Sequence, residues 1–240
     1  MPTPPKPAAK VAAKQFTAWG YTRIQDYTKC PAFAKYKHLD RLPEPEGEAL
    51  RRGSAIHEQA QVFSQASARA KCPPELQTFE QEFRALQKVA AKRRLFAEAQ
   101  WAFDKDWEPC EWFGKDAWVR GVVDCHYLYD EGGSRLVKVI DYKTGKVNDA
   151  HLGQLSLYAL TAMLRYPDAD GASVELWYLD HGVLKPDDGK VYLRAEVPAL
   201  KKEWAAKARP LLADKRFAPK PSKNCTWCTY SRAKGGSCKF

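Results

Sequence analysis

Asp124, Asp141 and Lys143 are the residues of this sequence whose types and spacing point most directly to chemistry. Asp141 and Lys143 close an apolar run, Val137-Lys138-Val139-Ile140-Asp141-Tyr142-Lys143-Thr144-Gly145-Lys146. In a strand they share a face with Val137 and Val139, because side chains alternate with a period of two. Asp124 sits inside a second run, Trp118 to Tyr129, and the intervening Asp130-Glu131-Gly132-Gly133-Ser134 has turn composition. The two runs are expected to form a hairpin. Asp124 then stands on the face of Asp141 if the two are paired across it, which needs a loop of even length or a bulge. Carboxylates so placed repel at neutral pH, and the repulsion is relieved by protonating one or by a divalent cation between them. With a lysine alongside, the pattern suits a metal and an anionic substrate. A surface hairpin with scattered charges is the plain alternative.

A second constellation is made of thiols. Cys225, Cys228 and Cys238 fall in the tail Asn224 to Phe240, and Cys-x2-Cys lets two thiolates reach one metal or cluster iron, with the third spaced to join them. Cys30 is the candidate fourth ligand, since Cys72, Cys110 and Cys125 read as ordinary buried or loop cysteines. The total of 7 cysteines is odd and no export signal is recognised, so a disulfide framework is not expected. Unlinked thiols are the alternative.

The chain must be large enough to hold these groups. Its 240 residues with 45% hydrophobic content suit one sizeable domain. Lys plus Arg number 39 against 29 acids, a net charge of +10, which favours a polyanion such as nucleic acid or an anionic membrane surface. No run approaches the roughly 18 apolar residues of a membrane span, and a cytoplasmic location is expected. Residues 1–15, rich in Pro, Ala and Lys, read as a disordered basic arm, and residues 16–240 as the domain.

In chain order, Tyr27 to Tyr36 reads as a short helical pair bent at Pro31 with Cys30 at the bend. Glu44 to Glu48 is turn-like, and Arg51 onward opens a helix with Ala55, Ile56, Ala60 and Phe63 on its apolar side, carrying His57. On spacing alone a lone helical histidine is a packed or solvated residue. Glu75 to Leu95 has helical periodicity and a basic end at Lys88, Lys92, Arg93 and Arg94, which suits the helix dipole as well as DNA. Phe96 to Phe103 reads as a strand bearing Glu98. Asp149 to Tyr166 is an expected helix with His151, Gln154 and Tyr158 along one edge; Ala172–Leu179 and Lys190–Val197 are expected strands, and Ala199–Leu212 a last helix.

Gly121-Val122-Val123-Asp124, Asp141-Tyr142-Lys143-Thr144-Gly145 and Gln154-x-x-x-Tyr158 together resemble the PD-(D/E)xK nuclease superfamily, and most of all its RecB-like branch. Arg52-Gly53 through His57 is similar to that branch's helix-borne histidine. Cys30-Pro31 with Cys225, Cys228 and Cys238 resembles the one-plus-three cysteines of its iron-sulfur members, which include the AddB nuclease domain and the CRISPR-associated RecB-like exonucleases. The resemblance spans about residues 22–240. It implies an α/β restriction-endonuclease-like fold, a mixed β-sheet flanked by helices, with segments 20–40 and 217–240 stapled by a [4Fe-4S] cluster; zinc is the rival. It also implies a metal-dependent DNA nuclease, an exonuclease by preference, in recombination, repair or phage DNA metabolism of a bacterial or phage-infected cell, with a recombination or replication protein as partner. Asp124, Asp141, the Tyr142 carbonyl and His57 would hold Mg²⁺ or Mn²⁺, and Lys143 would position water or offset developing charge. Gln154 and Tyr158 would hold the DNA backbone or the lysine, and Glu98 would lie at the site's edge; if cleavage is single-stranded, interleaved Trp and Tyr residues would stack bases while Lys and Arg on the 84–94 helix track phosphates. The competing readings are a non-catalytic DNA-binding subunit of the same fold and a zinc-stapled interaction module.

Overall fold

Leu95–Phe103 (β1), Val119–Glu131 (β2) and Ser134–Lys143 (β3) form an antiparallel meander in a computed structural model that describes residues 15–45 and 47–240. The expected basic arm lies outside the described residues except at Gln15, whose side-chain amide donates to the Leu212 carbonyl. Glu131 pairs with Ser134, leaving Gly132 and Gly133 as a two-residue turn with φ of 58° and 82°. Positive φ at both positions defines the hairpin turn whose twist matches its strands, and glycine meets that demand without a steric penalty. The loop is thus of even length. Cys125 pairs with Ile140, so Asp124 comes level with Asp141 one step further on.

β3 then pairs in parallel with Gly171–Tyr178 (β4), whose outer edge carries Val183–Lys185 (β5) and Val191–Leu193 (β6). This completes a 6-stranded mixed sheet. Parallel neighbours need a crossover. Here it is a 3₁₀ segment, Asp149–Gln154, leading into a helix at Leu155–Arg165.

The helices are Tyr21–Lys29 (α1), Pro31–Ala34 (α2), Glu48–Gln65 (α3), Glu80–Ala91 (α4), Leu155–Arg165 (α5) and Val197–Ala213 (α6). They cover both faces of the sheet. Val137, Val139 and Val174 share one core with Leu160 of α5 and Trp204 of α6, while Ile140, Tyr142 and Trp177 share another with Ile56 of α3 and Phe83 of α4. A strand covered on both sides must be apolar throughout, and β4 is buried at every position but Glu175.

The pleat of β1 and β2 changes phase at one level. Val119 and Val123 belong to the α5 side, yet Cys125 belongs to the α3 side. Pairing holds at Ala97 with Cys125 and at Ala99 with Val123, but lapses between them at Glu98 and Asp124, where Glu98 has φ of 50°. Such an irregularity re-aims side chains at a strand's functional end.

Several expectations are corrected. The Glu75–Leu95 helix is a 3₁₀ turn, Pro74–Phe79, followed by α4, and Leu95 already begins β1. Ala55 faces solvent. The Lys190–Val197 strand stops at Leu193 because the Arg194 guanidinium is drawn onto the carbonyls of Met163, Tyr166 and Ala169. Pro198 then opens α6. His151 does not share an edge with Gln154 and Tyr158, since the chain there is 3₁₀; its Nδ1 lies 3.0 Å from the Tyr178 hydroxyl.

Candidate active site and cysteine cavity

The hairpin's register and the phase change at Asp124 bring the acids of three strands to one end of the sheet, and α3 lowers a histidine onto them. Imidazole Nδ1 of His57 stands 3.5 Å from Asp124 Oδ2. That same oxygen accepts a 2.7 Å hydrogen bond from the Tyr142 amide. Ligand atoms of His57, Glu98 and Asp124 all lie within 4.8 Å of one another. One imidazole and two carboxylates so close form a donor set suited to Mn²⁺ or Mg²⁺.

Asp141 is held beside that group. Its Oδ2 lies 2.5 Å from Lys143 Nζ, and its Oδ1 accepts a 2.7 Å hydrogen bond from the Tyr158 hydroxyl. Gln154 is buried at the start of the same helical segment, and no described residue partners its amide nitrogen. Tyr142 enters through its amide, while its ring packs between His57, Phe83 and Trp177.

The electrostatics follow from burial and crowding. Burial raises the Asp141 carboxyl above its ordinary range; Lys143 opposes this and Asp124 adds to it. Burial, and then the charge of Asp124, raises Glu98. For His57 burial works downward, but the hydrogen bond and charge of Asp124 outweigh it and the imidazole is raised. Tyr158 is pushed far up by burial and by Asp141, so it stays a hydrogen-bond donor at any working pH. Crowded acids with raised affinity for protons are the condition that a divalent cation relieves.

A stability prediction follows from Asp141. Its folded-state pKa is above the unfolded value, so ionisation opposes folding at any pH above the folded value, and the cost fades as pH falls to the unfolded one. In metal-free protein, Asp141→Asn should raise the melting midpoint by a few degrees at pH 8, with the gain shrinking towards pH 4. Thermal scans across that range check it; a gain that grows on acidification would refute the assignment.

One contact that holds α3 in place has no signature in the residue pattern. Arg52 forms a bidentate pair with Asp180 at 3.0 and 2.5 Å, and Asp180 also accepts from the Gly145 amide at 2.6 Å. This ties the His57 helix to the loop after Lys143. Gly53 lets the two approach, because a Cβ there would come within 3.0 Å of Thr144 Oγ1. Asp180 could be recognised only once β4 was known to lie parallel to β3, which brings the ends of both strands together.

Other expected residues lie elsewhere. Arg93 and Arg94 flank Tyr129, Asp130 and Arg135 at the turn end of the hairpin, about 20 Å along β2 from Asp124 at 3.4 Å per residue. Arg84 is bound to Glu80, Gln87 and the Ala68 carbonyl. The 84–94 helix is therefore not beside the acids. Trp19, Trp107, Trp118 and Trp204 pack on one another in the core. Trp112 is half-buried and Trp227 exposed.

At the far end of the chain, Cys30, Cys225, Cys228 and Cys238 line one cavity of about 340 Å³ with Phe33, Tyr36 and Trp227. Cys30 Sγ accepts from the Lys220 amide and Cys225 Sγ from the Ser222 amide, both at 3.4 Å. Burial raises the Cys228 thiol; the Tyr230 amide opposes this, and Cys238, Cys30 and Cys225 add to it. Cys72 and Cys125 are buried apart from this cavity, and Cys110 lies in the loop after β1. The tail is not docked by thiols alone. The Tyr230 ring packs on Phe33 and Tyr36, and its hydroxyl donates to the Leu42 carbonyl.

Among known proteins, a sequence profile of the PD-(D/E)XK nuclease superfamily matches residues 18–233. A solved structure described as "Crystal structure of SSO0001" is 14% identical over 90% of this chain and 85% of that one, with a TM-score of 0.37. No curated protein matches the chain. Among the described residues, no helix is long and apolar enough to cross a membrane.

Proposed function

Because this chain belongs to the PD-(D/E)XK nuclease superfamily, we propose that it is a divalent-metal-dependent deoxyribonuclease of the RecB-like branch, acting as an exonuclease. The observation that carries this reading is the convergence of His57, Glu98 and Asp124 ligand atoms within 4.8 Å, beside the Lys143–Asp141 contact at 2.5 Å. His57, Glu98, Asp124 and Asp141, with the Tyr142 carbonyl, would hold one or two Mg²⁺ or Mn²⁺ ions. When bound, such an ion would supply charge neutralisation at the phosphate and a lowered pKa for an attacking water.

The protein's own groups do the rest. Lys143, steered by Asp141, donates to the attacking water or to a phosphate oxygen as charge develops there. Tyr158 fixes Asp141 from the opposite side, so the carboxylate and the ammonium are oriented before substrate arrives. Gln154 has an amide to offer to Asp141, to Lys143 or to the DNA backbone. The Tyr142 amide keeps Asp124 turned towards His57. The domain would be residues 16–240, acting in cytoplasmic recombination, repair or phage DNA metabolism with a recombination or replication protein.

End-labelled single and double strands, with a circular control, test the assignment in Mn²⁺ and in EDTA. Loss of label from linear DNA alone, in Mn²⁺ alone, is the expected result. Binding without cleavage would instead identify a DNA-binding subunit.

Metal preference provides a further prediction. Imidazole is a softer donor than oxygen and suits Mn²⁺ better than Mg²⁺, so Mn²⁺ should support the faster turnover. His57→Ala should lose most activity and narrow the Mn²⁺ advantage. An unchanged metal preference in that variant would return His57 to a packing role.

The cysteine cavity supports a [4Fe-4S] cluster. Four thiols and two amide-to-sulfur hydrogen bonds in an aromatic-lined space suit such a group. A single zinc holds its sulfurs about 4 Å apart at Zn–S distances near 2.3 Å. Zinc is the rival for the same four thiols, and either would fill the site. Segments 20–40 and 217–240 would then be joined through it.

A further inference from the structure

A cavity of about 360 Å³ opens between α1, β2 and α5. Arg23 reaches it from α1, Arg120 from β2, Gln154 and Tyr158 from the α5 segment, and Trp112 from the loop before β2; no carboxylate lines it. The Arg120 guanidinium lies 6.0 Å over the Trp112 ring.

These cations have gathered without counterions. Among the described residues, no acid forms an ion pair with Arg23, Arg41 or Arg120. Burial, and then the charges of Arg120 and Arg41, lowers the proton affinity of Arg23. Each of the two lining guanidiniums gives one hydrogen bond to a carbonyl, Arg23 to Ala18 and Arg120 to Gly114. Arg120 Nε and the Gln154 amide nitrogen are buried with no partner among the described residues. Partly buried like charges and spare donors are costly unless an anion satisfies them, and paired guanidiniums match phosphate geometry.

The position is as informative as the charge. Tyr158 lines this cavity and donates to Asp141 at 2.7 Å, so a single side chain separates it from the candidate catalytic acids. A cationic groove with an aromatic platform is how single strands are held.

We infer that this cavity seats one nucleotide of the DNA strand next to the bond to be cut, with its phosphate on Arg23 and Arg120 and its base against Trp112. The inference rests on the deoxyribonuclease reading. It adds a binding subsite on the Tyr158 side of Asp141.

The test measures binding of the full chain in EDTA by fluorescence anisotropy, using labelled oligothymidylate and a blunt hairpin duplex across a salt series. The single strand should bind more tightly than the duplex. Arg23→Ala with Arg120→Ala should weaken it about tenfold or more and flatten its salt dependence by about 0.7, the value for one phosphate on a single strand. Trp112→Ala, on a half-exposed loop side chain, should weaken it about fivefold or more with the salt slope unchanged. That variant decides the matter if the arginine pair does not fold. Unchanged single-strand affinity in the folded variants would overturn the subsite, as would an equal loss on duplex. Wild-type protein that cleaves while the variants bind normally would overturn the subsite and keep the nuclease. Variants that lose binding as expected, in a protein inert with Mn²⁺, would keep Arg23, Arg120 and Trp112 as a single-strand site but overturn its place beside a bond to be cut, together with the nuclease.

Discussion

Asp124→Ala and Asp141→Ala should each lower DNA cleavage at least about a thousandfold, a loss of several kcal/mol of transition-state stabilisation, while leaving DNA binding within a fewfold of wild type. Asp124 is the residue on which the site converges. His57, Glu98 and the Tyr142 amide all address it, so its removal takes away a metal-type ligand and frees the histidine. Asp141 matters differently. Its loss leaves Lys143 without its 2.5 Å partner and Tyr158 with only the 3.4 Å contact to the Val122 carbonyl, which would disorder the group proposed to meet developing charge. Lys143→Ala should cost about 100-fold to 1,000-fold by the same argument. In the proposed role these groups would act on the transition state more than on bound DNA, so the effect should fall on kcat, with KM little changed. Single-turnover cleavage at saturating Mn²⁺ is the measurement. More than a few per cent of wild-type activity in Asp141→Ala would remove Asp141 from the site.

The second large effect is expected at the other end of the chain. Protein purified without oxygen should be brown and carry about four irons, and Cys30→Ser should lose the colour and lower the melting midpoint. A link from Cys30 to Cys225 closes a loop of about 200 residues, which in the cross-link model removes about 5 kcal/mol of unfolded-state entropy. That is comparable with the net stability of a domain. The loss should fall short of unfolding, because Tyr230 and Phe217 are buried and dock the tail independently of the thiols. Tyr230→Ala should therefore destabilise the tail even with the metal in place. Iron analysis and thermal scans read both effects. Colourless protein with one zinc per chain would replace the cluster but keep the staple, and metal-free protein with an unchanged midpoint in Cys30→Ser would remove both.

By itself the sequence determined what is local or periodic. An apolar run ending in Asp141-Tyr142-Lys143 reads as a strand, and the turn composition of Asp130 to Ser134 between two such runs reads as a hairpin, but whether Asp124 comes level with Asp141 depends on the register, which the Gly132-Gly133 turn decides in the structure. The bend at Cys30-Pro31 and the last helix were likewise legible. Tertiary structure alone decided what depends on partners remote in sequence. Glu98 joins His57 and Asp124 because pairing lapses at one level of β1 and β2, an irregularity that strand periodicity does not encode. Asp180 meets Arg52 because β4 returns parallel to β3, and the basic turns after α4 are carried to the wrong end of the hairpin by the antiparallel run of β1. Arg23 and Arg120 are nearly a hundred residues apart in the chain, and only the docking of α1 against β2 brings them to one cavity. Spacing governs which groups can share a face of one element; which faces meet is settled by burying the apolar surface of all the elements at once.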